Sequence, residues 1–203
     1  MKKSLLAVLL AVAIVAPVFA ADKGAMEIDG KIGAAFAGKV DIDKMDGKND
    51  VDPNFSLGAD FFYYVMPALA VGAGVEHLFN AKIKKAGDAK LGYTNIYLQA
   101  KYDFELNNDI FNNIYPLVRV GYGITSLSDA KIDAGGVDAK MDVESNGLYW
   151  AVGVGTTIKE HFLLEVLYFM NKSSFKATAM GAKETSNVTF SAVKVNIGYK
   201  FAL

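Results

Sequence analysis

Residues 193–203 read Val-Lys-Val-Asn-Ile-Gly-Tyr-Lys-Phe-Ala-Leu. Apolar side chains take every odd position; Lys194, Asn196, Gly198, Lys200 and Ala202 take the even ones. Strict alternation of this kind marks a strand with one apolar and one polar face. Two lysines on one face argue against a strand buried on both sides. Such a strand must pair along its edges or leave them open to other chains. The rest of the sequence supplies the partners.

The alternation recurs seven more times. In the first strand Met26, Ile28, Ile32, Ala34, Phe36 and Val40 share the apolar face, with Glu27, Asp29, Lys31, Gly33, Ala35, Ala37 and Lys39 opposite. Further strands are expected over 55–65, 69–79, 93–104, 115–124, 147–158 and 162–171, and the last from about 188 to 203. Their connections alternate in length. Polar segments 41–53, 80–92, 126–145 and 172–187 are expected as long loops. Met66-Pro67, the connector 105–113 and Lys159-Glu160-His161 lie between them. Long loops at one end and short turns at the other are the habit of barrels that cross an outer membrane. The expected fold class is all-β: a transmembrane, eight-stranded, antiparallel up-and-down β-barrel over residues 21–203.

The faces indicate which side meets lipid. One face gathers Val, Ile, Leu, Phe, Tyr and Trp; the other gathers Gly, Ala, Asp, Glu, Lys and Arg. A soluble barrel would hide its apolar residues and show its charges. A lipocalin-like carrier is the soluble rival, and it would stay in solution without detergent. Here a charged face fits a narrow lumen if its charges pair and its glycines and alanines make room.

Residues 1–20 are expected to be a cleaved signal peptide. Lys2 and Lys3 precede an apolar run from Leu5 to Val15, and Val18-Phe19-Ala20 offers the small residues of a cleavage site. Of the 21 basic residues, losing Lys2 and Lys3 leaves 19 against 22 acidic ones, a net charge of −3. No basic patch points to nucleic acid. Cysteine is absent, which removes disulfides and thiol chemistry.

With its signal segment, its eight-strand pattern and its closing Gly198-Tyr199-Lys200-Phe201, the chain resembles the small outer-membrane β-barrel family of the OmpA/OmpX type. The resemblance spans the whole mature chain. It implies export to the outer membrane of a Gram-negative-type bacterium. It also implies that Gly198, Tyr199 and Phe201 belong to a C-terminal signal read by the insertion machinery. The family usually ends on the aromatic itself; here Ala202-Leu203 follow, and Leu203 keeps the apolar parity.

Asp60, Glu76, Lys101, Arg119, Glu165 and Lys31 fall on the inward face and are expected to form a charge network, because a lone charge there is costly. Counted from the short turns, Asp60, Lys101, Arg119 and Glu165 share a depth. The network is read first as a plug that specifies the barrel, and second as a gated conduction path. Phe61, Tyr63, Tyr102, Phe104, Phe162, Tyr199 and Phe201 cluster beside the short turns and are expected to form an interfacial aromatic girdle. Asp41, Asp43, Asp46, Asp50 and Asp52 do not keep calcium-loop spacing, since Met45 holds the fifth place and Gly47 falls one late. They are read as a solvated acidic loop, with weak bridging to lipopolysaccharide through divalent cations as the other reading. No cofactor or metal is expected.

The two histidines, His77 and His161, stand in no nucleophile motif, so the chain is read as non-enzymatic. The expected role is structural or surface interaction: membrane integrity, adhesion, or contact with an extracellular ligand through the long loops. The alternative is a narrow diffusion channel, and an outer-membrane lipid-modifying enzyme is the disfavoured third reading. Expected partners are outer-membrane lipids, lipopolysaccharide and the insertion machinery.

Overall fold

The computed structural model describes residues 22–42, 49–84, 90–133, 138–179 and 182–203. The proposed signal segment lies outside the described residues. Eight antiparallel strands close on themselves: β1 (Met26–Ile42), β3 (Asn54–Met66), β4 (Leu69–Lys82), β5 (Lys90–Tyr102), β7 (Phe111–Asp133), β8 (Asp138–Ile158), β9 (Phe162–Ala179) and β10 (Ala182–Ala202). Neighbours in sequence are neighbours in the sheet, and β10 pairs back onto β1, Glu27 opposite Ala202 through Phe36 opposite Val193. Closure removes the open edge that the terminal strand would otherwise present. Two short strands decorate the wall: β2 (Asn49–Val51) folds back on β1, and β6 (Phe104–Glu105) pairs with β7.

The apolar face points outward along every strand. Ile32, Leu57, Ile96, Leu98, Val120, Leu148 and Ile197 are each more than half exposed. In water this band would be intolerable, and in a bilayer it is the contact surface. The inside is less polar than the sequence suggests. Phe62, Tyr64, Tyr93, Tyr97, Tyr115, Tyr149, Leu167 and Phe169 are buried there beside the charges.

Three expectations are corrected. The segments 126–145 and 172–187 are mostly strand: β7 and β8 stay paired up to Asp133 opposite Asp138, and β9 and β10 up to Ala179 opposite Ala182. Above the membrane both faces meet water, so alternation fades while the backbone ladder continues. Val40 points inward and is fully buried, while Lys39 points outward. The register slips between Phe36 and Lys39, and Ala37 takes a φ of 52°, so a β-bulge reverses the parity of the strand top. Phe104 is only 8% exposed, because the chain leaves β5 at Asp103 and turns into β6.

The turn joining β8 to β9 carries strain. Lys159 (φ 47°) and Glu160 (φ 67°) both sit in the left-handed region, which penalises a side chain. Glu160→Gly is expected to raise stability by about 0.5–1 kcal/mol, since the gain outweighs the looser unfolded chain. A shift of the urea midpoint in lipid vesicles reads this out. An unchanged or lowered midpoint would show that the turn is relaxed as it stands.

Candidate functional site

The shear of a barrel brings inward residues from different strands to one height. Here it stacks the charges in three layers. The middle layer holds Lys31 (β1), Asp60 (β3), Arg119 (β7) and Glu165 (β9), all at most 5% exposed. One Arg119 Nη2 donates to Asp60 Oδ2 at 3.1 Å and to Glu165 Oε2 at 3.0 Å. Its Nε donates to Gln99 Oε1 at 3.0 Å, and its guanidinium lies 5.0 Å from the Tyr97 ring centre. Lys31 pairs with Asp60 and reaches Glu165 Oε2 at 3.3 Å. Tyr97 Oη donates to Asp60 Oδ1 at 2.7 Å, and Asn196 Nδ2 to Glu165 Oε2 at 2.9 Å. Two cations thus face two carboxylates with hydrogen bonds around them, the condition under which buried charge is tolerated.

Lys101 does not share this height. It lies one layer nearer the short turns, paired with Glu27. Its Nζ stands 4.4 Å from the Phe62 ring centre, 5.0 Å from Tyr115 and 5.7 Å from Tyr64. Three rings around a buried ammonium give cation–π support where water is scarce. Tyr64 Oη donates to Asp103 Oδ2 at 2.5 Å, and Asn113 Nδ2 to Asp103 Oδ1 at 2.8 Å. Glu76 is one layer nearer the long hairpins, paired with Lys194. Lys194 Nζ also faces the Phe169 ring, 5.2 Å from its centre.

Above Glu76 and Lys194 the lumen turns apolar. Val40, Val51, Leu78, Ile83, Leu91 and Phe190 are buried together. Tyr93 stacks on Phe190, ring centres 5.1 Å apart and planes within 9°. Ion pairs and this cap obstruct the lumen at successive heights. The cap was missed in the sequence because it is made partly by β2 and by the parity reversal at Ala37.

On the outer wall Phe61, Tyr63, Phe162, Tyr199 and Phe201 are exposed beside the short turns, and Tyr102 is half-buried against Phe104. Phe104 is covered, its ring centre 4.8 Å from that of Tyr102. A second aromatic belt, missed above, lies near the long hairpins: Phe36, Phe55, Phe79 and Tyr122 are exposed, and Trp150 packs on Tyr168. The parity rule that found the lower belt would have found this one too. Gly198, Tyr199 and Phe201 lie on β10 where it pairs with β1, opposite Lys31, Gly30 and Ile28.

His77 Nδ1 lies 2.9 Å from Thr94 Oγ1 on the outer wall, and His161 stacks on Tyr199. No group of three or more histidine, cysteine or carboxylate residues able to hold a metal occurs among the described residues. Of the acidic loop, residues 43–48 lie outside the described residues. Asp52 makes an exposed pair with Lys84 at 3.6 Å.

A family model described as the outer membrane protein beta-barrel domain matches residues 4–201. No curated protein matches the chain. Among solved structures, Neisserial surface protein A is similar at 19% identity, with 87% of this chain and 97% of that one covered and a TM-score of 0.50. Ail, the attachment invasion locus protein of Yersinia pestis, aligns at 14% identity, covering 88% and 99%, with a TM-score of 0.51. The outer membrane protein OprG of Pseudomonas aeruginosa aligns at 18% identity, covering 91% and 99%, with a TM-score of 0.50. These likenesses are of fold.

Proposed function

Since the chain belongs to the outer membrane protein beta-barrel domain family and resides in the bacterial outer membrane, we propose that it acts as a closed-lumen barrel. It supports the membrane and presents the β7–β8 and β9–β10 hairpins as its surface-interaction elements. The observation that carries this reading is the filled lumen: three layers of paired charge under an apolar cap. The hairpins extend the sheet beyond the lipid-facing band, where an extracellular ligand is met. Residues 1–20 serve as the export signal, and the strand ending in Tyr199 and Phe201 as the signal to the insertion machinery. The histidines support a non-catalytic reading, His77 through its bond to Thr94 and His161 through its stacking on Tyr199.

The second reading is the narrow diffusion channel. It is favoured by Asn95 and Asn171, buried amides that have no hydrogen-bond partner among the described residues and suit a hydrated lumen. Single-channel recording on the refolded barrel in a planar bilayer separates the two, after the heat-dependent gel shift shows closure. The expected result is a folded and electrically silent barrel. Discrete, reproducible conductance steps would overturn the closed-lumen reading in favour of the channel.

A further inference from the structure

The outer wall is not uniformly filled. Along β10, β1 and β3 the outward positions include the small residues Gly30, Ala34 and Ala59, and the wall sinks into two apolar hollows of about 730 and 630 Å3. They share Ile32, Leu57 and Ile197, which stand between them, so the hollows adjoin and are taken together as one furrow. Its upper half is walled by Phe36, Phe55 and Phe79 of the upper aromatic belt. Its lower half reaches Phe162 and Tyr199.

The bulge at Ala37 decides what stands above the furrow. Without it, Lys39 would point into the lumen. With it, Lys39 points outward above Phe36 and Ala37, and it lies opposite Ser191 on β10. On the far side of β10, Lys172 lies opposite Thr189 and is also exposed. Two strand spacings put these lysines about 10 Å apart laterally, with two hydroxyl residues between them. Among the described residues neither lysine has an ion-pair partner, although Asp50 is the cross-strand neighbour of Lys39 on β2. Asp41, above Lys39 and opposite Thr189, is engaged elsewhere. A left-handed alanine is a strained way to build a strand, and strain of this kind gathers where a side chain must be re-aimed.

We infer that the furrow on β10–β1–β3, together with Lys39 and Lys172 above it, is a binding site for a phosphorylated, multi-acylated lipid of the outer leaflet. An acyl chain lies along Ile32, Ala34 and Leu57 between the three phenylalanines. The phosphate meets the two ammonium groups and the hydroxyls of Ser191 and Thr189. The amines lie at headgroup height because the apolar band ends just beneath them, and basic residues in that position recognise anionic headgroups. The inference rests on the outer-membrane placement of the barrel and is independent of what the hairpins bind.

The test uses the processed barrel purified from outer membranes and exchanged into phosphatidylcholine nanodiscs. These are doped with diphosphoryl lipid A or its monophosphoryl form, and bound lipid is read by native mass spectrometry. One diphosphoryl lipid A per barrel is expected, retained over the monophosphoryl form and over phosphatidylcholine. The double variant Lys39→Gln, Lys172→Gln alters exposed positions only, and it is expected to weaken retention about 30-fold. Ala34→Phe fills the furrow without touching charge and is expected to reduce retention while the gel shift still reports a closed barrel. Equal retention of all three lipids overturns the headgroup site. Unchanged retention in the lysine double variant overturns it as well, even if Ala34→Phe does not fold. A barrel with the β7–β8 hairpin tip replaced should keep its lipid, so a failure of the surface role leaves this result standing.

Discussion

Arg119→Ala is expected to destabilise the barrel by about 3–5 kcal/mol, because removing one partner strands the others in a dry lumen. Arg119 is 2% exposed and its Nη2 bonds both Asp60 and Glu165. With it gone, Lys31 alone must serve two buried carboxylates. Gln99 loses the donor to its Oε1, and the Tyr97 ring loses its cation. Tyr97 and Asn196 still donate one hydrogen bond each, which keeps the loss below that of two bare charges. The urea midpoint of the heat-modifiable band in vesicles measures the effect. A quadruple variant, Lys31→Met and Arg119→Met with Asp60→Asn and Glu165→Gln, removes the set together and is expected to recover part of the loss, as replacing a whole buried ion set often does. Conductance of Arg119→Ala should stay silent, because the apolar cap and the Lys101 layer still block the lumen. If Arg119→Ala moved neither stability nor conductance, the middle layer would be neither plug nor gate.

Much of this architecture is legible in the sequence for one physical reason. Lipid and lumen make opposite demands on the two faces of each strand, so Val193 to Leu203 carries a strict two-residue period and Phe55 to Val65 a looser one, with Phe62 and Tyr64 on its inward face. Outside the bilayer that contrast vanishes. The tops of β7, β8, β9 and β10 therefore looked like loops, although their ladder continues to Asp133 and Ala179. The reversal at Lys39 and Val40 left no mark either, because the residue that takes the left-handed conformation is an alanine, not a glycine. Height along the barrel axis depends on stagger between strands, which no single strand records. The inward charges were thus found by parity, while Lys101 was assigned to the layer of Arg119 and Asp60 instead of to its ring-lined place beside Glu27. Phe104 kept the right parity on paper but follows Asp103, where β5 has ended.

Gly121→Val is expected to abolish the folded, heat-modifiable band altogether, an effect larger than the roughly 4–5 kcal/mol that marks an exceptional single substitution. The reason is space, not backbone freedom. Gly121 faces Tyr97 across the β5–β7 ladder, two residues from Arg119. A Cβ built there lies 2.1 Å from the Ile96 carbonyl oxygen and 2.5 Å from the Tyr97 Cα. Both are backbone atoms, so no rotamer change relieves the contact and the two strands would have to separate. Separation would break the ladder that sets Gln99 beside Arg119 and so uncouple the middle layer. A glycine in a strand interior often marks such a close approach. Gly30 is the counterexample on the same barrel: its built Cβ meets nothing within 4 Å on the lipid side. Gly30→Ala should therefore fold with a urea midpoint within about 0.5 kcal/mol of the parent. Refolding yields of both variants, scored on unheated gels, decide the point. Equal yields would mean that the small residues of the lumen wall are not what sets the strand spacing, and that the tight packing around Arg119 has another origin.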